Sequence, residues 1–349
     1  MKDNNTQISI AKGIGIILMV IGHCILSGYA NQFIYAFHMP LFFYLSGYCL
    51  KDKFFNDTLT FIKRKIKSLF IPYIKFNILF ILFHNAFVLL YLTINDYNII
   101  TIVRKIITSL LLMEGTEQLL GGFWFLKQLL LASVIGLFIL KYIKRKIIQT
   151  IFLIIFIYIF DLYKLNITYI NFGSQTLLAI LYFILGYHNK NLNLRRSFFT
   201  IIICPIIVAV IAFYSPTGIH GTTIYNFIPF IISSLCGIYM IFGLSDIISK
   251  HCGIAKTIEY IGNRTLSILV WHFLSFKLIS LIAILYYKLP IGKLSSFPII
   301  KELPNENLWI ISYCLAGIIL PILVDNIYNL TAKKINNYAT KSKCNCTSI

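Results

Sequence analysis

A chain of 349 residues that is 58% hydrophobic and only 12% charged, with a mean hydropathy of +0.81, lies outside the composition of soluble domains and belongs in a bilayer. Its formal charge of +19 does not make it a nucleic-acid binder, because the Lys and Arg residues sit between apolar runs instead of on one solvated face or arm. No segment between those runs is long enough for a soluble catalytic domain, so any chemistry is expected inside the membrane or at its edges.

Apolar runs of about 17 to 25 residues, the length that crosses roughly 30 Å of hydrocarbon, recur along the chain. The reading is an all-α, polytopic membrane protein with about ten transmembrane helices and one domain over residues 1–349, of which 331–349 form a polar tail. The expected spans are Ile8–Leu26, Phe33–Leu50, Phe70–Tyr91, Phe123–Leu140, Ile147–Phe160, Gln175–Tyr187, Phe198–Tyr214, Ile224–Leu244, Thr265–Tyr286 and Leu308–Leu330. Alternate connections are rich in cations, among them Lys51, Lys53, Lys63, Arg64, Lys65, Lys67, Lys141, Lys144, Arg145, Lys146, Lys190, Arg195, Arg196, Lys250, Lys256 and Arg264. The others keep only Arg104, Lys105, Lys164, Lys288, Lys293 and Lys301. By the positive-inside rule both termini are cytoplasmic, in a multi-pass protein of a bacterial-type plasma membrane.

Cys24, Cys49, Cys204, Cys236 and Cys314 fall within spans and lack metal-ligand spacing, so they read as reduced packing residues and no metal is expected. The tail Cys346 resembles a prenylation site only loosely, and the N-terminal run reads as a retained signal anchor.

In the first span Lys12 and His23 are eleven positions apart, which on a helix puts them about 20° out of register and ~16 Å apart along the axis. They share one face, as do Gly15 and Gly22, where another helix can approach closely. Lys12 reads either as a residue snorkelling to the interface or as a cation of a site. His23 is an imidazole inside a span, where ionisable groups mark pathways or reactive sites. The second span carries Phe37-His-Met-Pro40, which sets His38 at similar depth; Pro40 disfavours helical geometry just before it and places His38 at a buried helix start. The helix dipole there favours the neutral ring that accepts a proton. Together His23 and His38 are the candidate general-base site.

Phe61–Phe70 reads as a basic amphipathic helix that either rests on anionic lipid or meets an anionic cytosolic ligand such as a nucleotide phosphate. Ile99–Met113 is too short to span and suits an interfacial or re-entrant helix. Trp124 reads as an interfacial aromatic or as a substrate platform, and Lys127, a turn deeper, as snorkelling outward. His272 is expected to line the same cavity from the cytosolic side. His84 and Asp325 read as satisfied polar residues. The familiar serine-hydrolase, zinc-hydrolase and P-loop patterns are absent.

At five places the sequence resembles the acyltransferase 3 family of membrane acyltransferases: Ala11–His23, Phe37–Gly47, Phe61–Tyr73, Phe123–Leu126 and Leu266–His272. The family's basic residue, followed after ten intervening residues by histidine, falls on Lys12 and His23, with Lys standing where many members have Arg. The resemblance implies ten membrane helices, His23 as the essential histidine, and acyl-CoA as a donor substrate from the cytosol, with no permanently bound cofactor. It leads to the expectation of an O-acyltransferase, acetyl-CoA its donor, with Lys12 on the donor and Trp124 and His272 on the substrate. The acceptor is expected to be a cell-surface or lipid-linked glycan. His23 then acts as general base or through an acyl-histidine, which the sequence does not separate. The rival from another class is a glycan exporter or other transporter, since buried polar residues also line permeation paths.

Overall fold

In the computed structural model the described residues are 2–24, 28–167, 170–191, 197–301 and 303–345; the side chains of 2–5, 224 and 333–345 are left undescribed. Arg195, Arg196, Cys346 and the C-terminal end of the first expected span lie outside them. Fourteen α-helices follow one another: α1 (Lys2–Cys24), α2 (Tyr29–Tyr35), α3 (His38–Tyr48), α4 (Thr58–Lys65), α5 (Ile71–Leu89), α6 (Ile99–Leu112), α7 (Trp124–Tyr142), α8 (Lys146–Leu162), α9 (Ser174–His188), α10 (Cys204–Tyr214), α11 (Phe227–Ser249), α12 (Cys252–Gly262), α13 (Thr265–Tyr287) and α14 (Glu306–Asn345). Among the described residues there is no β-strand, only one isolated bridge between Ile167 and Phe172. The all-α membrane architecture is thus as expected.

The number of spans is not. Among the described residues six helical stretches are long and apolar enough to cross a membrane, against the ten expected: Thr6–Cys24, Thr58–Leu89, Gln118–Tyr142, Phe227–Ser249, Thr265–Tyr287 and Glu306–Ala332. Hydropathy records how apolar a run is and is blind to whether its backbone is continuous. The run Phe33–Leu50 is divided at Phe37, whose φ of −143° ends α2 and lets α3 begin at His38, two residues before Pro40. α8 and α9, of 17 and 15 residues, extend about 26 and 22 Å at 1.5 Å each and are not among those six stretches.

Proline shapes two other helices. Pro72 and Pro205 each lack the N–H that would bond four residues back, and each is preceded by a π-helical turn, Ile66–Phe70 and Phe199–Ile203. The first of these turns joins α4 to α5, so the basic helix expected over Phe61–Phe70 runs on into the span that follows it, in one helical stretch of 32 residues. The amphipathic α6 forms as expected, capped by Asn98, whose Oδ1 accepts from Thr101 N–H at 2.8 Å, and packs on α5.

Backbones meet most closely where α3 crosses α9. A Cβ added to Gly47 would lie 1.8 Å from Phe183 O, and one on Gly186 would lie 2.0 Å from Tyr44 O, so only glycine at both positions permits the crossing. This contact sets the position of α3, and α1 in turn lies on α3 at Gly15, beside Leu41 and Phe42.

Candidate active site

α1, α3, α4, the start of α7, the start of α13 and the turn over 218–221 surround one cavity of about 980 Å³. From α1 it takes Lys12, Ile16, Met19 and His23, spaced four, three and four apart, which is one helical face. The shared face expected for Lys12 and His23 is therefore the face that lines the cavity, and Lys12 does not snorkel away from it.

One end is basic. Lys12, Lys51, Arg64 and Lys65 line it, and among the described residues none of the four has a carboxylate partner. Lys65 Nζ donates to Ser46 Oγ at 2.8 Å, and the Arg64 guanidinium lies 5.3 Å from the Phe54 ring centroid. Four cations converging without a counter-charge at a membrane edge repel one another, and an anionic ligand relieves that repulsion.

The other end is lined by His23, His38, Trp124, Tyr35 and His220. His38 Nδ1–H donates to Ile34 O at 2.9 Å, a carbonyl in the last turn of α2, and this leaves Nε2 as the acceptor. His23 has no protein hydrogen-bond partner among the described residues, and its ring packs on Phe273 with centroids 4.9 Å apart. Trp124 opens α7 directly after a 3₁₀ segment over Gln118–Phe123, which turns its indole into the cavity.

His272 is not where it was expected. It is not among the residues that line the cavity; seven residues and about 10 Å along α13 from its start, it lies behind His23. There it is fully buried and stacks on His23. Its Nδ1–H donates to Ile268 O at 3.0 Å, and its Nε2 has no partner. Lys127 also departs from expectation: it is 5% exposed and paired with Glu114 instead of reaching outward. His84 is satisfied by Glu117 Oε2 at 2.6 Å and Asn95 O at 3.0 Å, and Asp325 pairs with Arg264 at 3.1 Å. Among the described residues no group of three or more His, Cys, Asp or Glu side chains is placed to hold a metal ion.

His220 is the site residue that the sequence reading missed. It belongs to no span and to none of the motifs above; its one local signal is the pair of glycines around it, Gly218 and Gly221, two residues after Pro216.

A family model described as an acyltransferase domain matches residues 5–325, nearly the whole chain. No curated protein matches the chain, and neither does any solved structure. With its apolar helices and the cavity they enclose, the chain belongs to the acyltransferase 3 family and is a multi-pass membrane acyltransferase.

Proposed function

We propose that the protein is an O-acetyltransferase of the plasma membrane, a single domain with both termini and its polar tail cytoplasmic, which moves an acetyl group from cytosolic acetyl-CoA to a hydroxyl of a cell-surface or lipid-linked glycan. The observation that carries this reading is that one cavity joins the unpaired cations to the histidines. The donor's phosphates bind Lys12, Lys51, Arg64 and Lys65, and its pantetheine arm runs along Ile16 and Met19 toward His23. The acceptor enters at the opposite end, between His38 and Trp124.

In this reaction His23 removes the proton of the acceptor hydroxyl as its oxygen attacks the thioester carbonyl. The new C–O bond forms, the C–S bond breaks, and the imidazolium returns its proton to the thiolate, which leaves as free CoA. Both substrates occupy the cavity together, which supports direct transfer and gives sequential kinetics in place of the ping-pong pattern of an acyl-histidine. His38, its tautomer held by Ile34 O, offers Nε2 to orient the acceptor.

The test compares the acetyl content of the cell-surface glycan by NMR in wild-type, deletion and His23→Ala strains. Loss of acetyl in both altered strains is expected, with His23→Ala about 10² to 10⁴ slower than wild type in a purified assay. Wild-type acetylation by His23→Ala protein present at normal levels would falsify the mechanism.

A further inference from the structure

The turn that carries His220 is braced from within. Gly221 N–H and Thr222 Oγ1 both donate to Gly218 O, at 3.0 and 2.9 Å, and Asn226 Nδ2 donates to Gly221 O at 3.3 Å. Ile219, 4% exposed, anchors the turn in the core. The imidazole of His220 is thereby held across the indole of Trp124, with ring centroids 4.2 Å apart and planes at 67°. It lines the cavity within electrostatic range of His38. Among the described residues neither His220 nor Trp124 makes a side-chain hydrogen bond, so an imidazole and an indole N–H stand free along the lining of the cavity.

An aromatic surface with a hydrogen-bonding group fixed at right angles to it suits a pyranose ring, which has an apolar C–H face and a rim of hydroxyls. A ring stacked on Trp124 turns its rim toward His220. A site that bonds one hydroxyl fixes which of its neighbours points elsewhere, and it discriminates strongly against sugars that lack that hydroxyl.

We propose that Trp124 and His220 form the acceptor subsite for a pyranose unit, and that His220 is a specificity-determining residue: it bonds a hydroxyl other than the reacting one and so selects the hydroxyl presented to His23. This rests on the acyl-transfer reading above.

The experiment uses the full-length protein in lipid nanodiscs, with acetyl-CoA as donor and methyl glucopyranoside and methyl galactopyranoside as acceptor probes. Three quantities are read: the KM of each substrate, the acetylated position by NMR, and the saturable change in tryptophan fluorescence on adding glycoside alone. His220→Phe keeps a ring against Trp124 and removes the polar atoms. It is expected to raise the acceptor KM about tenfold, the loss of one hydrogen bond. The acetyl-CoA KM should stay unchanged and the product should spread over several positions, while His220→Gln restores part of both. Unchanged acceptor KM and product position in His220→Phe overturn the subsite while leaving acyl transfer standing. Glycoside binding that depends on His220 in a wild-type protein that transfers no acetyl overturns the acyl-transfer reading and leaves the subsite supported.

Discussion

The imidazoles of His23 and His272 lie face to face, ring centroids 5.4 Å apart and planes at 25°, with Phe273 packed on both. Rings stacked in this way do not direct an N–H of one at the lone pair of the other, because that bond lies in the ring plane. His272 therefore shapes and steadies the place of His23 and passes no proton to it. His272→Phe, which keeps a flat ring there, is expected to retain kcat within about tenfold, whereas His272→Ala opens a void beside His23 and lowers kcat by more than that, in line with the cost of a small misplacement. Steady-state kinetics on the two purified variants decide it; equal, severe losses in both would make His272 a participant in proton transfer.

The basic end predicts a donor that feels charge. Lys12→Ala and Arg64→Ala are each expected to raise the acetyl-CoA KM roughly tenfold at low salt, with the acceptor KM unaltered. The difference from wild type should shrink as added salt shortens the reach of the field. Lys12→Arg keeps the charge and should bind donor within a few-fold of wild type. Donor KM values measured over a salt series provide the check, and a flat series would argue against phosphate contact at this end.

Glu117 holds the cap beside the histidine end together. Only 3% exposed, it accepts from His84 Nδ1 at 2.6 Å on one oxygen and from Lys105 Nζ at 3.0 Å on the other. Its own N–H donates to Asn77 Oδ1 at 3.2 Å, at the residue before the segment that delivers Trp124. Glu117→Gln leaves Lys105 without its counter-charge, weakens the bond to His84, and is expected to cost about 3–5 kcal/mol, the range for breaking a buried pair. Thermal unfolding in detergent measures this; a melting temperature equal to that of wild type would mean that the network contributes nothing.

The pH dependence of acceptor binding follows from His220. Burial holds its pKa below the ordinary 6.5, so the neutral ring persists to more acidic pH than in a free histidine. The sign is that of a depressed pKa: the folded protein takes up this proton later than the unfolded chain. Its contribution to stability is thus complete above about 6.5 and declines as pH falls through the lowered value. The same proton puts a charge near His38. Glycoside binding by wild-type protein should hold constant from neutral pH to 6.5 and weaken below it, and fluorescence titrations of His220→Gln should lack the His220 part of that decline.

The α1 stripe could be read from sequence because it depends on local geometry alone. The eleven-position spacing of Lys12 and His23 fixes a shared face in any straight helix. The break before His38 could also be read from Pro40, although the apolar count still entered Phe33–Leu50 as a span. What lies between elements could not be read. The depth of His272 depends on where α13 begins relative to the other helices, and Lys127 stays inside because Glu114, thirteen residues earlier, folds back to meet it. His220 enters the site through a turn whose position is decided by Ile219 and by the ring of Trp124, almost a hundred residues away in the chain.

The unbroken run from α4 into α5 ties the site to the thickness of its surroundings. Thirty-two residues extend about 48 Å at 1.5 Å each, well beyond the roughly 30 Å of hydrocarbon in a typical bilayer. The surplus is taken up as tilt or as protrusion, and Arg64 and Lys65 belong to the same continuous helical stretch, set off from α5 by the π-helical turn before Pro72. A thinner bilayer leaves those cations standing further into water, where a soluble anion can reach them; a thicker one draws them toward the headgroups, whose phosphates compete for the same charges. On the acyl-transfer reading proposed above, lipid chain length then bears on how readily the donor's phosphates reach this end of the cavity.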